Sequence, residues 1–146
     1  MGLARELMDR GTQAVITGDL EVLREIYSPD VVATTPDSGT LRGIDKFIEW
    51  NQAFVGAFTD RAYEPAKQQE TADCAIDQGD FVGTHTNPLQ LPDGQSVPPT
   101  GRQIRMRSAD MATVRDGKIV SHDFYFDQLD LLTQLGLMEA PATTPT

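Results

Sequence analysis

Apolar positions along this chain recur with two periods, and the change from one to the other divides it roughly in half. In the first part they fall three or four residues apart. Leu3, Leu7, Ala14 and Val15 predict a helix over residues 3–17. Gly18-Asp19 stops it, and Asp19 is placed to cap a second helix through Leu20, Leu23, Ile26 and Tyr27. Ser28-Pro29-Asp30 ends that helix, Val31–Thr35 predicts a short strand, and Pro36-Asp-Ser-Gly39 predicts a turn. From Gly43 to about Phe58, the residues Ile44, Phe47, Ile48, Ala53, Phe54 and Ala57 predict a third helix. Its exposed face would carry Asp45, Lys46, Glu49 and Asn51.

The second part alternates. Strands are expected over 61–67, 71–78, 80–87, 103–115 and 118–127, with a tight turn at Gln78-Gly79-Asp80. The Pro- and Gly-rich segment Leu91–Gly101 predicts a loop, and a short helix follows around Gln128–Gly136. Helices first and an antiparallel meander afterwards imply an α+β fold, with helices packed on one face of a curved sheet. One domain over residues 1–137 is expected, followed by a disordered tail over 138–146 that ends in Pro141-Ala-Thr-Thr-Pro-Thr146.

Two polar residues interrupt the apolar faces of the last two strands. Side chains alternate along a strand, so Ile104, Met106, Ala112 and Val114 share a face with Ser108 and Asp110. In the next run Val120, Phe124 and Phe126 share a face with His122. A carboxylate on an apolar face is costly unless it is paired or used. A two-residue turn at Asp116-Gly117 would set Val114 opposite Ile119 and Asp110 opposite Asp123. A three-residue Arg115-Asp116-Gly117 loop would set Asp110 opposite His122 and Ser108 opposite Phe124. Only the second register matches apolar face to apolar face, so it is the one expected. Asp110 and His122 are then cross-strand neighbours and a candidate acid–base pair, the alternative being a core pair that only satisfies itself.

Charge narrows the partners. The formal net charge of the 146 residues is −10. Nothing supplies the basic patch that nucleic acid or an anionic membrane requires; Arg105 and Arg107 alternate and read as a solvated strand face. Cys74 is the only cysteine, which excludes an intrachain disulfide. No apolar run is long enough to span a membrane, and the charged Met1-Gly-Leu-Ala-Arg-Glu-Leu start does not resemble a signal peptide. A soluble, cytoplasmic protein is expected.

Common catalytic signatures are absent: no Gly-rich phosphate loop, no Gly-x-Ser-x-Gly elbow and no HExxH pattern. Two histidines and one cysteine make a weak metal inventory, and no metal is expected. His85 in Gly83-Thr-His-Thr-Asn87 is either a plain strand histidine or a ligand-facing one. Trp50, Phe54 and Phe58 have ordinary core spacing, although one or two of them could wall an apolar cavity. Asp127 is placed to cap the final helix.

The segments LRGIDKFIEW, AFTD, GDFVGTHT, SVPPTGR, VRDGKIVSHDFYFD and LLTQLGL, in this order, resemble the SnoaL-like polyketide cyclase family of the nuclear transport factor 2-like superfamily, over roughly residues 4–137. The resemblance implies a cone-shaped α+β barrel: N-terminal helices packed in a strongly curved antiparallel sheet around an apolar cavity. It also implies a homo-oligomer, usually a dimer, and ring closure of polyketides by aldol condensation without a cofactor. Aligned on Asp-Gly-Lys-Ile, the family's catalytic aspartate falls on Phe124, its assisting histidine falls on Asp110, and a second family histidine matches His122.

Three functions follow as expectations. The first is cofactor-independent acid–base chemistry, an aldol cyclisation or isomerisation, on a small apolar or polyketide-like carbonyl compound. Asp110 and His122 would carry the proton, Ser108 would steady a developing enolate, and Trp50, Phe54, Phe124, Phe126 and His85 would complete the pocket. The second is a non-catalytic small-molecule binding or accessory protein, favoured by Phe124 at the aspartate position. The third is epoxide hydrolysis.

Overall fold

In a computed structural model describing residues 2–139, the order is α1 (Leu3–Thr17), a 3₁₀ turn (Leu20–Val22), α2 (Leu23–Ile26), β1 (Tyr27–Thr35), β2 (Gly39–Arg42), α3 (Ile44–Val55), β3 (Phe58–Glu70), β4 (Cys74–His85), β5 (Leu89–Gln90), β6 (Ser96–Val97), β7 (Gln103–Arg115), β8 (Lys118–Phe126) and α4 (Gln128–Gln134). Residues 140–146, most of the expected disordered tail, lie outside the described residues. Six strands form one curved sheet in the order β2-β1-β8-β7-β4-β3. β1 and β8 run parallel, and the other neighbours are antiparallel.

The helices sit where their apolar stripes require. On α1 the buried residues Ala4, Leu7, Met8, Gly11 and Ala14 recur at helical spacing, and the helix packs on β3, β4 and β7. On α3 they are Ile44, Phe47, Ile48, Asn51 and Val55. Two apolar clusters result. One gathers Leu7, Met8, Leu23, Ile26, Tyr27, Phe47 and Ile119, and the other gathers Phe58, Phe81, Ile104, Met106, Leu131 and Leu135. Each fully buried large side chain contributes about 1.5–3 kcal/mol.

Several local expectations need correction. The second helix is only a 3₁₀ turn and a single α-turn; Asp19 makes no side-chain cap bond, and Tyr27 opens β1. That strand runs through Ser28-Pro29-Asp30 because its pairing with β8 shifts between Tyr27 and Val32, so Pro29 needs to donate no ladder hydrogen bond. Asn51 is buried, its Nδ2 donating to the Phe47 carbonyl at 2.9 Å. Gln78-Gly79-Asp80 is no turn but the middle of β4. Gly79 stands there because a Cβ would lie 2.4 Å from the Glu64 carbonyl oxygen, beside the β3 bulge at Pro65. The Leu91–Gly101 loop contains β6, which pairs with β5.

The β7–β8 hairpin follows neither register considered above. Asp116 and Gly117 have φ of 52° and 78°, the signature of a two-residue type I′ turn, and they set Val114 opposite Ile119. The expected three-residue loop is therefore wrong. A bulge at Val120 then shifts the ladder, placing Ala112 opposite His122, Asp110 opposite Phe124 and Ser108 opposite Phe126. The bulge restores the match of apolar faces that the turn alone would have broken. It also brings fully buried Ile119, rather than Val120, to the inner face.

Candidate functional site

Between α1, α3 and the concave face of the sheet lies an apolar cavity of about 120 Å³. For scale, an apolar cavity of roughly 150 Å³ takes benzene. Seven of the eight candidate site residues line it: Trp50, Phe54, Ser108, Asp110, His122, Phe124 and Phe126. The eighth, His85, does not.

Asp110 and His122 meet, though not as direct cross-strand partners. The bulge makes them diagonal neighbours, and His122 Nε2 lies 2.7 Å from Asp110 Oδ2. The opposite ring nitrogen, Nδ1, lies 2.7 Å from the hydroxyl of Tyr27. Tyr27 is fully enclosed, and burial, followed by the charge of Asp110, keeps its phenol well above the ordinary value. It therefore stays protonated. With a neutral imidazole, Tyr27 donates to Nδ1 and Nε2–H donates to Asp110, which fixes the tautomer. The His122 side chain is 4% exposed and that of Asp110 14%, and both line the cavity. Phe124 stacks on the imidazole with ring centres 4.0 Å apart and planes 18° apart. Trp50, whose Nε1–H donates to Asp37 at 3.1 Å, packs on Phe124 at 5.1 Å.

His85 is buried against Phe58 of the second apolar cluster. Its Nδ1 accepts from the backbone N–H of Thr100 at 3.2 Å and from the Thr100 hydroxyl at 3.0 Å. The ring proton is then on Nε2, which is buried without a partner among the described residues. Burial lowers the His85 pKa. His85 thus pins the segment before β7 and stands outside this cavity; nor does it come together with His122 and Asp110 as a metal site. Among the described residues no cluster of three or more His, Cys, Asp or Glu could hold a metal ion. Asp127 caps α4, accepting from the Asp130 N–H at 3.0 Å.

A second buried polar pair lies one strand away. Arg5 on α1 donates to Asp77 at 2.6 Å, and the two side chains are 6% and 2% exposed. Asp77 is directly opposite Asp110 in the β4–β7 ladder. Burial pushes the Asp77 carboxyl above the ordinary range, against the pull of Arg5.

Sequence reasoning missed Tyr27 and Tyr63, both of which line the cavity. Tyr27 was hidden by its assignment to a helix end. Tyr63 sat in a weakly patterned strand. The usable signal for Tyr27 was Tyr27–Thr35 taken as one bulged, β-rich run.

The model of the SnoaL-like polyketide cyclase family matches residues 6–135. No curated protein matches the chain. Among solved structures, it is similar to IdmH, a candidate polyketide cyclase from Streptomyces antibioticus, at 31% identity over 91% of this chain and 98% of the other, with a TM-score of 0.72. TsrD from Streptomyces laurentii shares 23% identity over 93% and 96% of the two chains, with a TM-score of 0.78. A candidate SnoaL-like polyketide cyclase from Jannaschia sp. CCS1 shares 20% identity over 91% of each chain, with a TM-score of 0.80.

Proposed function

This chain belongs to the SnoaL-like polyketide cyclase family, and we propose that its cavity binds a small, largely apolar carbonyl compound and moves a proton on it without a cofactor. The observation that carries this reading is the continuous Tyr27–His122–Asp110 chain of two 2.7 Å hydrogen bonds, ending at an apolar cavity. Apolar walls favour such a substrate, and a hydrogen-bonded carboxylate held among them is a competent base.

The step is a proton abstraction alpha to the carbonyl. Asp110 Oδ1 takes the proton, and the C–H electron pair passes into the carbonyl to give an enolate. His122 Nε2–H continues to donate to Oδ2 and steadies the carboxyl group, while Tyr27 holds the ring. In an aldol closure the enolate carbon forms a bond with a second carbonyl carbon of the same molecule, and that oxygen takes the proton from Asp110. In an isomerisation the proton returns to a different carbon. Neither outcome consumes a cofactor. The family position of the catalytic aspartate holds Phe124, so the carboxylate acts from the neighbouring strand.

A test uses cyclohex-3-enone as a small probe, followed in D₂O by NMR for alpha-proton exchange and migration of the double bond. The wild type should accelerate both, and Asp110→Asn should remove about a hundredfold of the acceleration. Binding of the enone without any acceleration would support the accessory-protein reading, which the stacking of Phe124 over His122 favours.

A further inference from the structure

Resting on the carbonyl reading above, a further residue can be identified that meets the carbonyl oxygen. Tyr63 on β3 lines the cavity, and its hydroxyl is buried with no hydrogen-bond partner among the described residues. A hydroxyl left in that state costs about 1–3 kcal/mol, which an acceptor on a bound ligand would offset. The local sequence makes room for it. A Cβ on Gly79 would lie 2.8 Å from the Tyr63 hydroxyl, so the phenol rests over a bare glycine. Ser108, directly opposite Gly79 in the ladder, brings its Oγ to 3.4 Å from the Gly79 carbonyl. Two hydroxyls therefore converge on one glycine. Ser108 is also two residues from Asp110 on the same face of β7.

We propose that Tyr63 is a catalytic residue that donates a hydrogen bond to the substrate's carbonyl oxygen. The substrate is then a ketone or enolisable carbonyl whose oxygen rests over Gly79 while its acidic C–H meets Asp110. As the proton leaves for Asp110, negative charge develops on that oxygen, where a preorganised donor has most effect. Tyr63 is suited to donate rather than ionise: burial, and after it the charge of Asp110, raise its phenol far above the ordinary range. Phenols mimic such an enol, carrying a hydroxyl on a flat apolar ring.

The test compares p-cresol with toluene, two ligands that differ only in the hydroxyl, by NMR titration of the wild type and of Tyr63→Phe. Tyr63→Phe should weaken p-cresol by about tenfold and leave toluene unchanged. Its melting temperature should equal or exceed that of the wild type, because a buried unpaired hydroxyl has been removed. An equal change for both ligands, no change for p-cresol, or a lowered melting temperature would overturn the assignment while leaving the cavity reading intact. If the wild type binds neither compound, the cavity reading itself fails and this assignment falls with it.

Discussion

Tyr27 holds His122 from behind: its hydroxyl sits 2.7 Å from Nδ1, on the side of the ring opposite Asp110. Tyr27→Phe keeps the ring and removes that donor, leaving a buried acceptor unpaired. It should cost about 1–3 kcal/mol, measured by urea unfolding. Ring-nitrogen NMR signals of His122 should show a mixture of tautomers, and alpha-proton exchange should slow by about tenfold. Unchanged ring signals would mean that Asp110 alone orients the imidazole.

Phe124 stacks on a face of the same ring, 4.0 Å away between centres, and is itself backed by Trp50 and Phe47. Phe124→Ala should cost about 2–4 kcal/mol through the cavity it leaves. It should also weaken toluene binding, since one aromatic wall is lost. Stability within experimental error of the wild type would mean that the neighbours collapse into the space.

Arg5 and Asp77 form a buried ion pair that joins α1 to the sheet. Arg5→Met strands the carboxylate and should destabilise the protein by about 3–5 kcal/mol, whereas Arg5→Met combined with Asp77→Leu should recover most of that loss. The pH dependence has a definite sign. Burial raises Asp77 above its ordinary value of 3.8, so the fold binds this proton more tightly than the unfolded chain does. The associated stability is present below 3.8 and is lost as pH rises through the folded value. Asp77→Asn should flatten the stability profile across that acidic window; a profile parallel to the wild type would contradict the assignment.

His85 gives the opposite dependence, in a different window. Its ordinary value is 6.5, and burial lowers it in the fold. The unfolded chain therefore binds the proton first as pH falls. Stability should be full above about 6.5 and decline as pH drops from there toward the folded value. Urea midpoints of wild type and His85→Gln, compared between pH 7.5 and 5, should converge as pH falls. A constant gap between them would show that His85 is not protonated differently in the two states.

Where one face of an element is apolar, its position was legible from sequence. Residues Leu3–Thr17 fold as the predicted helix with matching bounds, and Asp110 shares the inner face with His122 as the alternation required. What escaped notice depends on single backbone irregularities. The Val120 bulge changes which residues stand opposite each other and puts Ile119 rather than Val120 on the inner face, and no side-chain pattern reports it. Gly79 resembles a turn because glycine is also the residue that close strand approach demands. Tyr27 and Tyr63 act through hydroxyls at the tips of aromatic rings, and the periodic pattern treats those rings as core. The place of His85 outside the cavity was not legible because its partner, Thr100, lies in a loop whose course the pattern does not specify.

The parallel pairing of β1 with β8 has a consequence for how the protein is made. Tyr27 and His122 are 95 residues apart, and the hydrogen bond between them exists only when the last long strand docks beside the first. A nascent chain that has emerged as far as β7 already contains Asp110, Tyr63 and every helix except α4, yet it lacks the His122 imidazole. Closing so long a loop adds little entropy cost over a shorter one, but contacts of such separation form slowly. A polypeptide that stops before β8 carries Asp110 without the His122 imidazole that hydrogen-bonds to it, and without the Phe124 and Phe126 walls of the cavity.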